Sequence, residues 1–143
     1  MSQLKLEKQL CFKLYSLNKN ITKLYAPFLK KLELTYPQYL VMLVLWETSS
    51  AIPIKMISKH LDLDTGTLSP LLKRMENNGL IKRSRSEQDE RTVLISLTNK
   101  GQLLKTEAKE IPSELFSMTG LDIEQMKKLP NSTILFIHQC YDH

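Results

Sequence analysis

Only two cysteines, four glycines and six prolines occur in these 143 residues. Two cysteines do not make a disulfide framework. The chain is therefore expected in a reducing cytoplasm, where a disulfide would be transient or regulatory. Scarce glycine and proline argue against long linkers and disordered tails. Long apolar runs are also missing: the best is Tyr39 to Trp46, well short of the ~18 residues a membrane span needs. The opening MSQLKLEKQL has no continuous apolar core followed by small residues, so a secretory leader is not expected. There is no internal repeat.

What is present is ordinary for a folded domain, with 42% hydrophobic and 24% charged residues. The formal net charge of +5 permits nucleic acid as a partner without proving it. Helical periodicity dominates. A first helix is expected from about Lys5 to Pro27, its stripe built from Leu6, Leu10, Leu14, Leu17, Ile21 and Leu24. Pro27 should end or bend it. Thr35-Tyr36-Pro37 starts a second helix, apolar nearly all round and so expected to be the most buried element.

A short helix, about Ile54 to Leu61, is followed by the tight turn Asp62-Leu63-Asp64 and a helix over about Thr65 to Asn78. That is a helix-turn-helix pattern. Pro70 predicts a regular helix only from about Leu68. Leu80 to Arg85 and Thr92 to Thr98 read as two strands joined by a polar connector, a wing. A long helix opens at Thr98 and is interrupted by Pro112. Asp122 with Gln125 is a capping-box pattern for a last helix that ends near Tyr141. The fold class expected is mainly α with a small β wing. Residues 1–143 form one domain, with residues 37–98 as the winged helix-turn-helix and residues 1–36 and 99–143 as a helical dimerisation region.

In a helix-turn-helix the start of the second helix meets base edges in the major groove. Here, over Asp64 to Pro70, Thr65, Thr67 and Ser69 offer hydroxyls, and Gly66 and the helix start offer backbone N–H donors to phosphate. Lys73 and Arg74 suit phosphate contacts. Lys82, Arg83, Arg85 and Arg91 cluster on and beside the wing, where an arginine fits the minor groove. Asp89 is placed to hold Arg91 by a bidentate pair. The bland alternative is a set of solvated surface charges.

The helix order, the hairpin and the long flanking helices resemble the MarR family of winged-helix repressors, and within it the OhrR organic-hydroperoxide sensors. The residues that carry the likeness are QLCFKLY (Gln9 to Tyr15), LTYPQYL (Leu34 to Leu40), LDTGTLSPLLKRME (Leu63 to Glu76) and RSEQDERTVLISLT (Arg85 to Thr98). It is collinear from about Lys5 to Ser113.

Cys11 then has two readings. Free cysteine packs as a small hydrophobe; a reactive one needs a stabilised thiolate and access for an oxidant. The donors to hand are tyrosines. Tyr15 lies one helical turn on. Tyr25, on a continuous helix, is roughly 40° round but ~21 Å along the axis. It could therefore touch Cys11 only across a two-fold axis. The resemblance implies that Cys11 is the peroxide-reacting thiol and that Tyr25 and Tyr36 reach it from the partner subunit. The bland reading of Tyr36 and Tyr39 is aromatic packing at a helix start.

Cys140 departs from the family's usual place for a second thiol. It is either a resolving cysteine for Cys11 of the other chain or a packing residue, with a low-molecular-weight thiol as the external alternative. His138, Cys140 and His143 have no second ligand cluster beside them, so neither a metal nor another cofactor is expected. The resemblance implies a homodimeric repressor on palindromic double-stranded DNA, with organic hydroperoxide as signal and no enzymatic turnover. Two rivals are a repressor released by a small aromatic ligand among Tyr15, Tyr25, Tyr36, Tyr39 and Trp46, and a thiol peroxidase.

Overall fold

A computed structural model describes residues 4–128. Cys140, His138, His143 and the expected end of the last helix lie outside the described residues. The chain divides at Ile111/Pro112 into two compact units.

The first unit opens with a 3-10 turn, Leu6–Lys8, and then α1, Leu10–Leu32. This corrects both expected ends of the first helix. Gln9, the residue before α1, makes no side-chain cap, so the leucine stripe alone could not fix the start. Pro27 sits inside α1 without ending it. The carbonyl that loses its donor belongs to Lys23, on an exposed face, where water can serve it. The helix stops at Glu33, in the left-handed conformation at φ 54°. There Leu34 N–H donates to Leu29 O at 3.0 Å, and Leu34 is buried with Leu29 and Leu32.

α2 runs Tyr36–Glu47. Thr35 and Gln38 close a capping box: Thr35 N–H donates to Gln38 Oε1 at 2.9 Å, and Gln38 N–H to Thr35 Oγ1 at 3.4 Å. The first of these bonds engages the side-chain oxygen of Gln38, a polar residue buried among apolar ones. Tyr39, Val41, Met42, Leu45 and Trp46 of α2 are all buried, as its apolar circumference predicts.

β1 (Ile52–Pro53), α3 (Ile54–Leu61), α4 (Thr65–Asn77), β2 (Ile81–Arg85), β3 (Val93–Leu97) and α5 (Asn99–Ala108) complete the unit. The sheet is antiparallel in the order β1-β3-β2, with Ile52 opposite Ile95 and Ile81 opposite Leu97. β1 was not expected from sequence, because two residues ending in proline carry no alternation. Ile57, Leu68, Leu72, Met75, Ile81 and Ile95 form the centre of the core between α3, α4 and the wing base.

α4 begins at Thr65, as expected, and is helical from there rather than only from about Leu68. Asp64 caps it: Oδ1 accepts from Thr67 N–H and Oδ2 from Thr67 Oγ1, both at 2.8 Å. A Cβ on Gly66 would lie 3.0 Å from Asp64 Oδ1, so glycine leaves the cap its room. Pro70 is carried within the helix; the carbonyl it leaves unbonded is that of Gly66, which is exposed. The Thr67 hydroxyl and N–H bonds hold the Asp64 carboxyl below the usual carboxylate range. A depressed folded-state pKa contributes stability above the unfolded value and loses it as pH falls through the folded one. Wild-type protein should therefore lose thermal stability over that acid window by more than Asp64→Ala does, measured as melting temperature against pH.

α6 (Ile111–Thr119) starts on the last residue of the first unit and otherwise belongs to the second, where α7 spans Ile123–Lys127. The expected capping box is formed: Asp122 N–H donates to Gln125 Oε1 at 2.9 Å, and Gln125 N–H to Asp122 Oδ1 at 2.7 Å. Among the described residues, no helix is long and apolar enough to cross a membrane.

Candidate nucleic-acid interface and thiol site

Two short helices and a turn place the first turn of α4 on the surface. Thr65, Gly66, Thr67, Ser69 and Pro70 are all exposed, as are Lys73 and Arg74 one turn on. Two of the hydroxyls are already donating. Thr67 Oγ1 serves Asp64, and Ser69 Oγ bonds back to Thr65 O at 2.7 Å. Both keep lone pairs for an incoming donor.

The wing tip is organised by Asp89, but not as expected. Its Oδ1 accepts from Arg91 N–H at 3.0 Å and its Oδ2 from Thr92 Oγ1 at 3.0 Å. Among the described residues no ion pair joins Asp89 to the Arg91 guanidinium, so the expected bidentate pair is corrected. Asp89 shapes the turn through the backbone, and the Arg91 side chain is left exposed with no protein partner among the described residues. Arg85 is half committed: Nη1 donates to Glu90 O at 2.7 Å, bracing the loop from the other side. Arg83, counted with the wing cations from sequence, turns inward instead. In a strand alternate residues share a face, so Arg83 follows buried Ile81 towards α4. That phase was readable in the sequence and was missed.

Cys11 is exposed, in the first turn of α1. Around it the stripe expected to be buried is open in the single chain: Leu6 is 60%, Leu10 59%, Leu14 52% and Leu17 56% exposed. Tyr15 is exposed too, one turn after Cys11.

Tyr25, Tyr36 and Tyr39 form a cluster elsewhere. Ring centroids are 5.0 Å apart for Tyr25–Tyr36 and 5.6 Å for Tyr25–Tyr39, with Trp46 at 6.3 Å from Tyr39. Tyr15 does not join them, so the aromatic set considered as a ligand pocket does not gather in one place. Burial, with the neighbouring phenols, pushes Tyr25 up to about 12. Burial raises Tyr36 and Tyr39 as well. All three are therefore protonated donors at neutral pH, and none of the three hydroxyls has an acceptor among the described residues. Because α1 is continuous, the fourteen residues from Cys11 to Tyr25 span about 21 Å.

Residues 23–108 match the transcriptional regulator SarA/Rot family. The organic hydroperoxide resistance transcriptional regulator of Bacillus subtilis is 49% identical over 139 residues, covering 95% of this chain and 94% of that protein. The HTH-type transcriptional regulator MgrA of Staphylococcus aureus is 43% identical over 125 residues, covering 87% and 84%. Among solved structures, reduced AbfR bound to DNA is 33% identical with a TM-score of 0.69, covering 90% of this chain and all of that one. AbfR, from Staphylococcus epidermidis, has also been solved overoxidised on DNA and with a disulfide formed. The family match takes in the helix-turn-helix and the wing, and these relatives are matched over 84% or more of both chains. The chain belongs to the MarR/SarA family of winged-helix, DNA-binding transcriptional regulators.

Proposed function

We propose that the protein is a homodimeric repressor that releases a palindromic operator when an organic hydroperoxide oxidises Cys11. One observation carries this reading. The thiol sits exposed on an uncovered apolar face at one end of an unbroken helix, while Tyr25 sits far along the same helix with Tyr36 of α2 beside it. Within one chain they cannot meet; in a two-fold pair of α1 helices they can. The same pairing would cover Leu6, Leu10, Leu14 and Leu17.

The Cys11 thiolate attacks one peroxide oxygen and the O–O bond breaks. The sulfur becomes a sulfenic acid and the other oxygen leaves as an alcohol. A second thiol then attacks the sulfenic sulfur, forming a disulfide and releasing water. AbfR is found on DNA both reduced and overoxidised, which favours the disulfide, rather than added oxygens alone, as the releasing state. A disulfide removes the anionic acceptor of the Tyr25 and Tyr36 hydroxyls and brings bulk into the dimer seam. The two α4 helices then lose the spacing of half-sites one DNA turn apart.

On the DNA side, Thr65, Gly66, Thr67, Ser69 and Pro70 face the major groove and Lys73 and Arg74 its phosphates. Arg91 enters the minor groove, on a loop built by Asp89 and Arg85. Arg91→Ala should weaken duplex binding about 10-fold and lower the salt slope by about one, read from affinities at several salt concentrations. The reading as a whole is tested by fluorescence anisotropy on a palindromic duplex. One equivalent of alkyl hydroperoxide with a small thiol should free the DNA. DNA that stays bound while mass spectrometry shows Cys11 in a disulfide would contradict it.

A further inference from the structure

The wing and the recognition helix must keep a fixed angle if one is to read the minor groove while the other reads the major. The link between them is short. α4 ends at Asn77 and β2 begins at Ile81, with Gly79 at φ 71° making the turn. At that end Leu80 N–H donates to Met75 O at 3.0 Å. A second tie lies further out, at Arg83. Its Nη2 donates to Ser69 O at 3.3 Å, and its Nε lies 3.2 Å from Glu76 Oε2.

Ser69 and Glu76 are two helical turns apart on one face of α4. Helix carbonyls point towards the C-terminus and side chains lean towards the N-terminus. The Ser69 carbonyl and the Glu76 carboxylate therefore converge on the guanidinium from opposite directions. The Arg83 side chain is 28% exposed and that of Glu76 39%. Arg83 Nε is sealed from solvent and has no aligned hydrogen bond, so its contact with Glu76 is ionic. A fork held at two points along a helix fixes direction as well as distance, which a single ammonium cannot do.

We propose that Arg83 is a positioning residue: it sets the angle of the wing on α4 through Ser69 O and Glu76 and does not itself contact DNA. The proposal rests on the reading that α4 and the wing together bind the duplex. It makes Glu76, an acidic residue beside a DNA-binding surface, an aid to specific binding. Simple electrostatics gives the opposite sign, since removing a negative charge there should strengthen binding to every duplex.

Affinities of wild type, Arg83→Met and Glu76→Gln for the operator and for a scrambled duplex, each across a salt series, decide between them. Positioning predicts that both variants lose about 10-fold on the operator, while scrambled-duplex affinity and the salt slope hold. The double variant should be no worse than either single one, as for two ends of one contact. A salt slope reduced by about one in Arg83→Met, with scrambled binding falling in step, would make Arg83 a phosphate contact and overturn the proposal. So would Glu76→Gln binding the operator as well as, or better than, wild type. Wild-type protein that cannot tell the two duplexes apart would remove the underlying reading as well. Melting temperatures accompany each variant, and Glu76→Gln keeps the test valid if Arg83→Met folds poorly.

Discussion

Cys11→Ser should keep its duplex at peroxide doses that strip it from the wild-type protein. A serine hydroxyl in place of the thiol is not oxidised by peroxide and forms no disulfide, while the DNA-binding surface of α4 and the wing is untouched. The expected contrast is large. Release means falling from specific to non-specific binding, a gap on the order of 10³-fold at its lower end, so all measurements must share one salt concentration. Cys140 remains in this variant, which gives the result a second use. If Cys11→Ser is freed as readily as wild type, sensing does not pass through Cys11. If Cys140→Ser still responds when a small thiol is present, the second sulfur comes from outside the chain.

Gly101→Ala should unfold the protein's central joint. A Cβ at Gly101 would stand 2.2 Å from Leu80 O and 3.1 Å from Leu97 Cδ2. The backbone oxygen cannot swing aside, because Leu80 O already accepts from Thr98 N–H at 3.1 Å. Nor can Gly101 retreat freely. Its N–H donates to Thr98 Oγ1 at 3.1 Å, and its carbonyl accepts from Trp46 Nε1 at 3.0 Å. Lys105 Nζ adds a bond to Trp46 O at 2.8 Å. One methyl group therefore strains the junction of α2, β2, β3 and α5 at once. Overpacking of this kind costs ~3 kcal/mol or more, which lowers the melting temperature by on the order of 10 °C. Gly79→Ala is the comparison: its φ is 71° but nothing lies within 4 Å of the added Cβ, so only the left-handed backbone penalty of ~1–2 kcal/mol applies. Equal melting temperatures for Gly101→Ala and wild type would contradict the packing described.

The helix-turn-helix was legible because its signals are local. Asp64, Gly79 and the spacing of Leu68, Leu71, Leu72 and Met75 each act within a turn or two. The wing strands were legible from alternation. Other features depended on partners distant in sequence. The proline rule misjudged Pro27 and Pro70, because whether a lost donor matters depends on which way the Lys23 and Gly66 carbonyls face. Asp89 and Arg91 were paired by proximity, yet the turn brings the backbone, not the guanidinium, to the carboxylate. Arg83 was grouped by charge when its phase with Ile81 put it inward. Leu10, Leu14 and Leu17 do share one face of α1, whereas Leu6 lies in the 3-10 turn before it. Periodicity identifies such a face but not what covers it, and within one chain these residues stay exposed.

The claim that organises all of this is that phenols of one chain serve the sulfur of another. Mixed dimers test it directly. Chains carrying Cys11→Ser are combined with chains carrying Tyr25→Phe and Tyr36→Phe, refolded together, and the mixed species isolated by two affinity tags. Its one remaining Cys11 then faces intact Tyr25 and Tyr36 on the other chain and neither on its own, with Cys140 present in both chains. The rate of sulfenic acid formation with an alkyl hydroperoxide should match that of a wild-type site and exceed that of the doubly substituted tyrosine homodimer. A mixed dimer as slow as that homodimer would show that the tyrosines do not act across the pair.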